Sequence, residues 1–178
     1  QYRNKDGQHV AQKIRAIEAD DDGKRLTQWR GSAKEATGFG QHLANPAKHK
    51  SIVICEGELD APSVYQAFGG KVAAISVPNG AQSAGKFVRD HLDEFLKFES
   101  VVVCTDNDEP GNAAATQIMD LFEPGKVKRA VLPCKDANDT LQEMGSHVLK
   151  EAVEAAREIR PDGIRPASDY AGLVLKPP

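Results

Sequence analysis

Cysteine and aromatic residues are scarce in this chain. Its 178 residues contain three cysteines, Cys55, Cys104 and Cys134, none of them in a CxxC or a Cys/His pairing. That spacing excludes a zinc ribbon within the chain and argues against a disulfide framework; a reducing cytoplasm fits. Aromatic residues make up 6%, and the isolated Trp29 and Phe39 are packing residues in the first instance, with stacking on bases as the alternative. No apolar run approaches membrane-spanning length and there is no signal peptide. No GxxxxGK[ST] loop is present, which excludes a P-loop ATP motor here, and there is no GxGxxG. The five histidines are scattered and offer no Ser-His-Asp arrangement. The chain starts at Gln1 and not at Met, which reads as part of something longer.

What remains is globular: 40% hydrophobic and 28% charged residues, enough for one ordinary domain with a small appendage. The net charge of −3 hides a split, because residues 1–50 carry ten Lys/Arg against six Asp/Glu and the rest carries the acidic excess. A basic front before an acidic region suits a protein that holds phosphates in one place and metals in another; ordinary surface charge is the competing reading.

Residues 1–49 read as a small, basic, β-rich unit. Positions 10–17 alternate polar and apolar, 20–23 (Asp-Asp-Asp-Gly) signal a turn, 26–30 supply the returning strand and 31–40 a loop. From residue 50 the pattern becomes strand, helix, strand, helix, with strands at 52–55, 72–77, 101–105 and 128–132. Helices are expected at 60–68, 84–97 (with Ser83 as N-cap), 111–122 and 148–157. Alternating elements of this kind imply an α/β fold with a central parallel four-stranded sheet flanked by helices over residues 50–160. Residues 161–178, with Pro166 and a terminal Pro177-Pro178, read as a tail or linker.

Acidic clusters stand at the exits of the apolar runs. Glu56, Glu58 and Asp60 follow Ile52–Cys55, Asp106 and Asp108 follow 101–105, and Asp136 follows the fourth strand. Ligands of parallel sheets bind outside the carboxyl ends of strands, and clustered carboxylates call for a hard cation such as Mg²⁺. Each has a plainer reading. Asp60 suits a helix N-cap, Asp-Asn-Asp suits a turn, and Asn138 or Asp139 suits the cap of a short helix that follows directly. Asn79-Gly80-Ala81 could present backbone N–H groups to a phosphate or could be a tight turn. Lys13 and Arg15 share one strand face, as a phosphate-binding pair or as the wet face of an edge strand. Lys86 and Arg89, on the helix after the glycine loop, are solvated side chains or strand-binding ones. Carboxylates with a divalent metal and no nucleophile point to phosphoryl or nucleotidyl transfer, or to phosphodiester cleavage.

Glu56-Gly57 after the first strand, and Asp106-x-Asp108 after the third, resemble a TOPRIM domain, the fold shared by topoisomerases and primases. A closer resemblance is to the primase half of the bifunctional primase-helicases of T-seven-like phages and their Twinkle relatives. It is carried by Glu56-Gly57-Glu58-Leu59-Asp60, Asn79-Gly80-Ala81, the stretch Val131-Leu132-Pro133-Cys134-Lys135-Asp136-Ala137-Asn138, and Pro161-Asp162-Gly163-Ile164. Upstream, Tyr2 to Gly7, Gln12 to Arg15 and Phe39 to Leu43 look like the small basic subdomain that precedes TOPRIM in those primases.

The resemblance implies synthesis of short RNA primers from ribonucleoside triphosphates on a single-stranded DNA template. It implies Glu56 in catalysis or metal binding, Asp106 and Asp108 on Mg²⁺ (with Mn²⁺ as substitute), and Glu58, Asp60 and Asp136 around the metals. Lys13 and Arg15 would engage nucleotide or template. A zinc-binding module and a helicase domain are expected elsewhere in the full-length protein, and a cytoplasmic setting, the host's if the protein is viral. A TOPRIM nuclease, a topoisomerase fragment (for which Tyr2, Tyr65 and Tyr170 are poor nucleophiles) and a non-catalytic module that binds DNA or docks a helicase are the alternatives.

Overall fold

A computed structural model describes residues 1–18, 21 and 25–158. Most of the expected 20–23 turn, the 161–178 tail and Pro161-Asp162-Gly163-Ile164 lie outside the described residues.

Two sheets are present. The first is antiparallel, in the order β1 (Tyr2–Arg3), β2 (His9–Arg15), β3 (Thr27–Gly31). The second is parallel and four-stranded, built from β4 (Ser51–Cys55), β5 (Ala73–Ser76), β6 (Ser100–Cys104) and β7 (Val127–Arg129) in the order β5-β4-β6-β7. The helices are α1 (Asp60–Ala67), α2 (Ala81–Asp90), α3 (Leu92–Phe95), α4 (Glu109–Met119) and α5 (Ala137–Glu154). No described helix is long and apolar enough to cross a membrane.

The unbroken apolar runs of β4 and β6 follow from burial on both faces. Ile52, Ile54, Val101 and Val103 enter a core with Phe87 and Val88 of α2 and Ala115 and Ile118 of α4. Val53, Cys55, Val102 and Cys104 enter a second core with Val64 of α1 and Leu149 and Val153 of α5. Neighbouring residues of one strand thus serve opposite cores, so no polar position is left until the strand ends. There the chain meets solvent, and the acidic residues begin. The strand order reverses between β4 and β6, which makes their carboxyl ends the switch point of the sheet.

Several expectations are corrected. The expected 84–97 helix is two helices, separated at His91 (φ −120°, ψ 15°), and α2 starts at Ala81 after Gly80. Gly80 holds φ 69° and ψ −165°, a conformation nearly confined to glycine; Ser83, the expected cap, instead donates its hydroxyl to the Gly80 carbonyl. The short helix expected after 136–139 and the one expected at 148–157 run together as α5, which begins at Ala137, where the Asp136 carboxylate caps it by accepting from Asp139 N at 2.7 Å. It bends at Gly145 (φ 87°). Neither Asn138 nor Asp139 is that cap. Asp60 does not cap its own helix either.

The N-terminal sheet differs most. Tyr2–Arg3 forms a third strand, so β2 lies in the middle and is not an edge. Its buried side is the one carrying Ala11 (5% exposed) and Lys13, while Ile14 is 39% exposed. The alternation is real, but the face with the basic residues turns inward, because Tyr2 pairs with Ala11 and Trp29 with Lys13.

Candidate active site

Cys55 and Cys104 are register partners, so Glu56 and Asp106 leave adjacent strands at nearly the same level. Glu56 Oε1 accepts from Ala81 N at 3.2 Å. Its Oε2 is buried with no hydrogen-bond partner. Burial raises the Glu56 pKa, with the Asp108 charge adding to the rise. Asp106 is pushed up to about 7, first by burial and then by the charges of Glu56, Asp60 and Asp136. Lys135, with Nζ 4.0 Å from Asp106 Oδ2, works against that rise.

Asp60 is 5% exposed and braces the site. Oδ2 accepts from Gly57 N at 3.0 Å and Oδ1 from Asn138 N at 3.0 Å, joining the β4 exit loop to the start of α5. Burial is the main reason its pKa rises to about 6. Asp108 Oδ1 accepts from Gly111 N at 2.8 Å and so caps α4.

These groups open onto a cleft of about 680 Å³ between the two sheets. Glu56, Glu58, Asp60, Gly80, Asp106 and Asp136 line one wall, and Lys13 and Arg15 the other. Asp108, Asn79, Lys86 and Arg89 are not among its lining residues. Lys86 pairs with Asp90 at 2.7 Å on the exposed side of α2, the solvated reading weighed for it from the sequence. Trp29 and Phe39 pack against the Tyr2 ring.

Lys135 and Arg25 also line the cleft and were missed by sequence reasoning. Lys135 had a signal, being adjacent to Asp136 in the acidic stretch. Arg25 and the buried Tyr2 had none, since only the pairing of the antiparallel sheet brings them here.

Among the described residues no three His, Cys, Asp or Glu side chains form a ready-made metal group. The donor set nevertheless fits a divalent cation. An orphaned carboxylate oxygen and carboxyl groups that resist ionisation together mark a place short of positive charge. Mg²⁺ ordinarily takes one or two carboxylates and completes its shell with water and substrate phosphates, so a preformed cage is not required.

Comparison with known proteins bears on the family and the fold. Residues 53–141 match the Toprim-like family model. The chain is 33% identical over 163 residues to the DNA helicase/primase of Enterobacteria phage T3, covering 92% of this chain and 27% of that protein. It therefore spans about a quarter of that relative's length. A Twinkle homologue of Arabidopsis thaliana is 31% identical over 127 residues, covering 60% of this chain and 18% of that protein. Among solved structures, the primase fragment of the bacteriophage T7 primase-helicase superposes with a TM-score of 0.72 at 34% identity, covering 85% of this chain and 60% of that one. A structure of T7 primase domains bound to an RNA/DNA hybrid and dTTP, with the lagging-strand polymerase, gives 0.74 at 34% identity, covering 89% of this chain and 76% of that one. With a fold, a strand-end carboxylate cluster and relatives that all agree, the chain belongs to the Toprim-like family, in the company of the phage primase-helicases.

Proposed function

We propose that this chain is the catalytic core of a DNA primase, joining ribonucleotides into short primers on single-stranded DNA. The observation that carries the reading is the composite cleft, where Lys13 and Arg15 of the first sheet face Glu56 and Asp106 at the strand ends of the second and Asp136 at the start of α5. The similarity to phage primase-helicases supports it.

Lys13, Arg15 and Arg25 would hold the triphosphate and the template backbone by charge. Glu56 and Asp106 would hold the divalent cation, Mg²⁺ or Mn²⁺, with Asp136 and Asp60 shaping the charge around it. When bound, such a cation neutralises the phosphate charge that develops as a primer 3′-hydroxyl attacks the α-phosphate and pyrophosphate leaves. Lys135 restrains Asp106 from the solvent side. Template choice and unwinding would belong to a zinc-binding module and a helicase domain of the full-length protein.

The test is primer synthesis from ribonucleotides on single-stranded templates with Mg²⁺, with and without a relative's zinc-binding module. Short RNA products, with pyrophosphate released, are expected, and Glu56→Gln and Asp106→Asn abolish them in a folded protein. Cleavage of the template instead would identify a nuclease. Template binding untouched by both variants, with no product, would identify a non-catalytic module.

A further inference from the structure

Glu58 differs from the other cleft carboxylates in what holds it. Its Oε1 accepts from the Tyr2 hydroxyl at 2.5 Å and from Lys13 Nζ at 2.5 Å. Both donors belong to the N-terminal sheet, far away in sequence. Tyr2 is 1% exposed, and its ring centroid lies 4.8 Å from Trp29 and 5.7 Å from Phe39. Lys13 is held on two further sides, donating to the Pro78 carbonyl at 3.2 Å and standing 5.8 Å from the Trp29 ring centroid. Glu56, by contrast, accepts from the backbone N–H of Ala81 at the start of α2 and keeps one oxygen bare. Were Glu58 Oε1 to turn to a cation, it would give up a charge-assisted bond to Lys13 and leave a buried phenol without its acceptor.

We propose that Glu58 is a positioning residue and not a metal ligand: together with the Tyr2 hydroxyl it fixes the Lys13 ammonium on the cleft wall, aimed where a nucleotide triphosphate enters. The inference rests on the nucleotide-polymerising reading above. Lysine's flexible stem is ordered during folding, so less entropy is lost when the nucleotide arrives. The same contact ties the two sheets together across the cleft.

Two binding measurements test this, neither needing turnover: the affinity for Mn²⁺ alone, and that for a fluorescent ATP analogue in saturating Mn²⁺. Glu58→Ala is expected to weaken the analogue about tenfold, and Tyr2→Phe, which keeps the ring, about threefold, as a lost charge-assisted and a lost neutral hydrogen bond would. Both should bind Mn²⁺ within about twofold of the unmodified chain, since neither group is a ligand, nor bonded to one, in this reading. In a double-mutant cycle, Glu58→Ala adds nothing to Lys13→Ala. A fall in Mn²⁺ affinity on Glu58→Ala matching that of Glu56→Gln overturns the proposal, and so does additivity with Lys13→Ala. Should Glu58→Ala not fold, Tyr2→Phe is read against the same outcomes. Failure of the unmodified chain to make primers even with a relative's zinc-binding module supplied would overturn the polymerising reading while leaving both binding results in place.

Discussion

Burial and, after it, the Glu56 charge push the Asp106 pKa up to about 7, so the exits of β4 and β6 form one electrostatic unit. Moving either strand end disturbs the charge of the other. The parallel register that pairs Cys55 with Cys104 produces this, with no direct side-chain bond between the two acids.

Asp106→Asn is expected to separate activity from stability. It removes a carboxylate whose ionisation is opposed by burial and by Glu56, Asp60 and Asp136. Primer synthesis should fall by about a hundredfold or more, in line with the loss of a group that stabilises transition-state charge. Thermal unfolding at pH 8 without metal should move upward, not downward. A lower melting temperature there would contradict the charge-repulsion account.

The pH dependence has a definite sign. Asp60 and Asp106 have folded-state values of about 6 and about 7, above the ordinary value of 3.8. The folded state therefore holds those protons more tightly, and the stability this contributes is full below about pH 4 and is lost as pH rises through 6 and 7. In EDTA, the melting temperature of the unmodified chain relative to Asp106→Asn should fall between pH 5 and pH 8. Mg²⁺ should stabilise strongly at pH 8 and little at pH 5, which differential scanning calorimetry can follow.

Asp60→Ala is expected to cost stability first. The buried carboxylate satisfies Gly57 N and Asn138 N, and alanine orphans both. A loss of about 2–4 kcal/mol in urea unfolding is expected, from two unpaired buried donors. Asp108→Ala, which removes an exposed helix cap, should cost only about 1 kcal/mol. An equal cost for the two would show that Asp60 does not brace the site.

Gly111→Ala probes the Asp106 loop from behind. A methyl group there would lie 2.1 Å from the Asp106 carbonyl oxygen, closer than atoms can approach. The loop has to shift, carrying the Asp106 carboxylate with it. Activity should drop more than tenfold, because small misplacements of catalytic groups are costly. Unchanged activity would mean that the Asp106 position is not critical.

The strand ends were legible because burial on both faces leaves a pattern: unbroken apolar residues, then abrupt acid. That pattern marked Glu56 and Asp106; Asp136, seven residues beyond the end of β7 (Val127–Arg129), follows no such run. Helix boundaries were less legible. Asp136 caps α5 through a local bond, yet three candidate caps stand within four residues, and only the direction of the chain leaving β7 chooses among them. The face of β2 was read with its period right and its orientation open, since alternation cannot say which side another sheet will cover.

By itself the sequence determined the parallel α/β unit and the places where its acidic residues emerge, since strand burial and strand exit are written in local order. Tertiary structure alone decided how those acids divide the work. Asp108 caps a helix, Asp60 braces two loops, Glu58 meets Tyr2 and Lys13, and Glu56 keeps an oxygen bare. The reason is physical: carboxylates of one chemical type are told apart only by which donors reach them, and while Gly111 is local to Asp108, the donors Tyr2, Lys13, Ala81 and Asn138 reach Glu58, Glu56 and Asp60 from far along the chain.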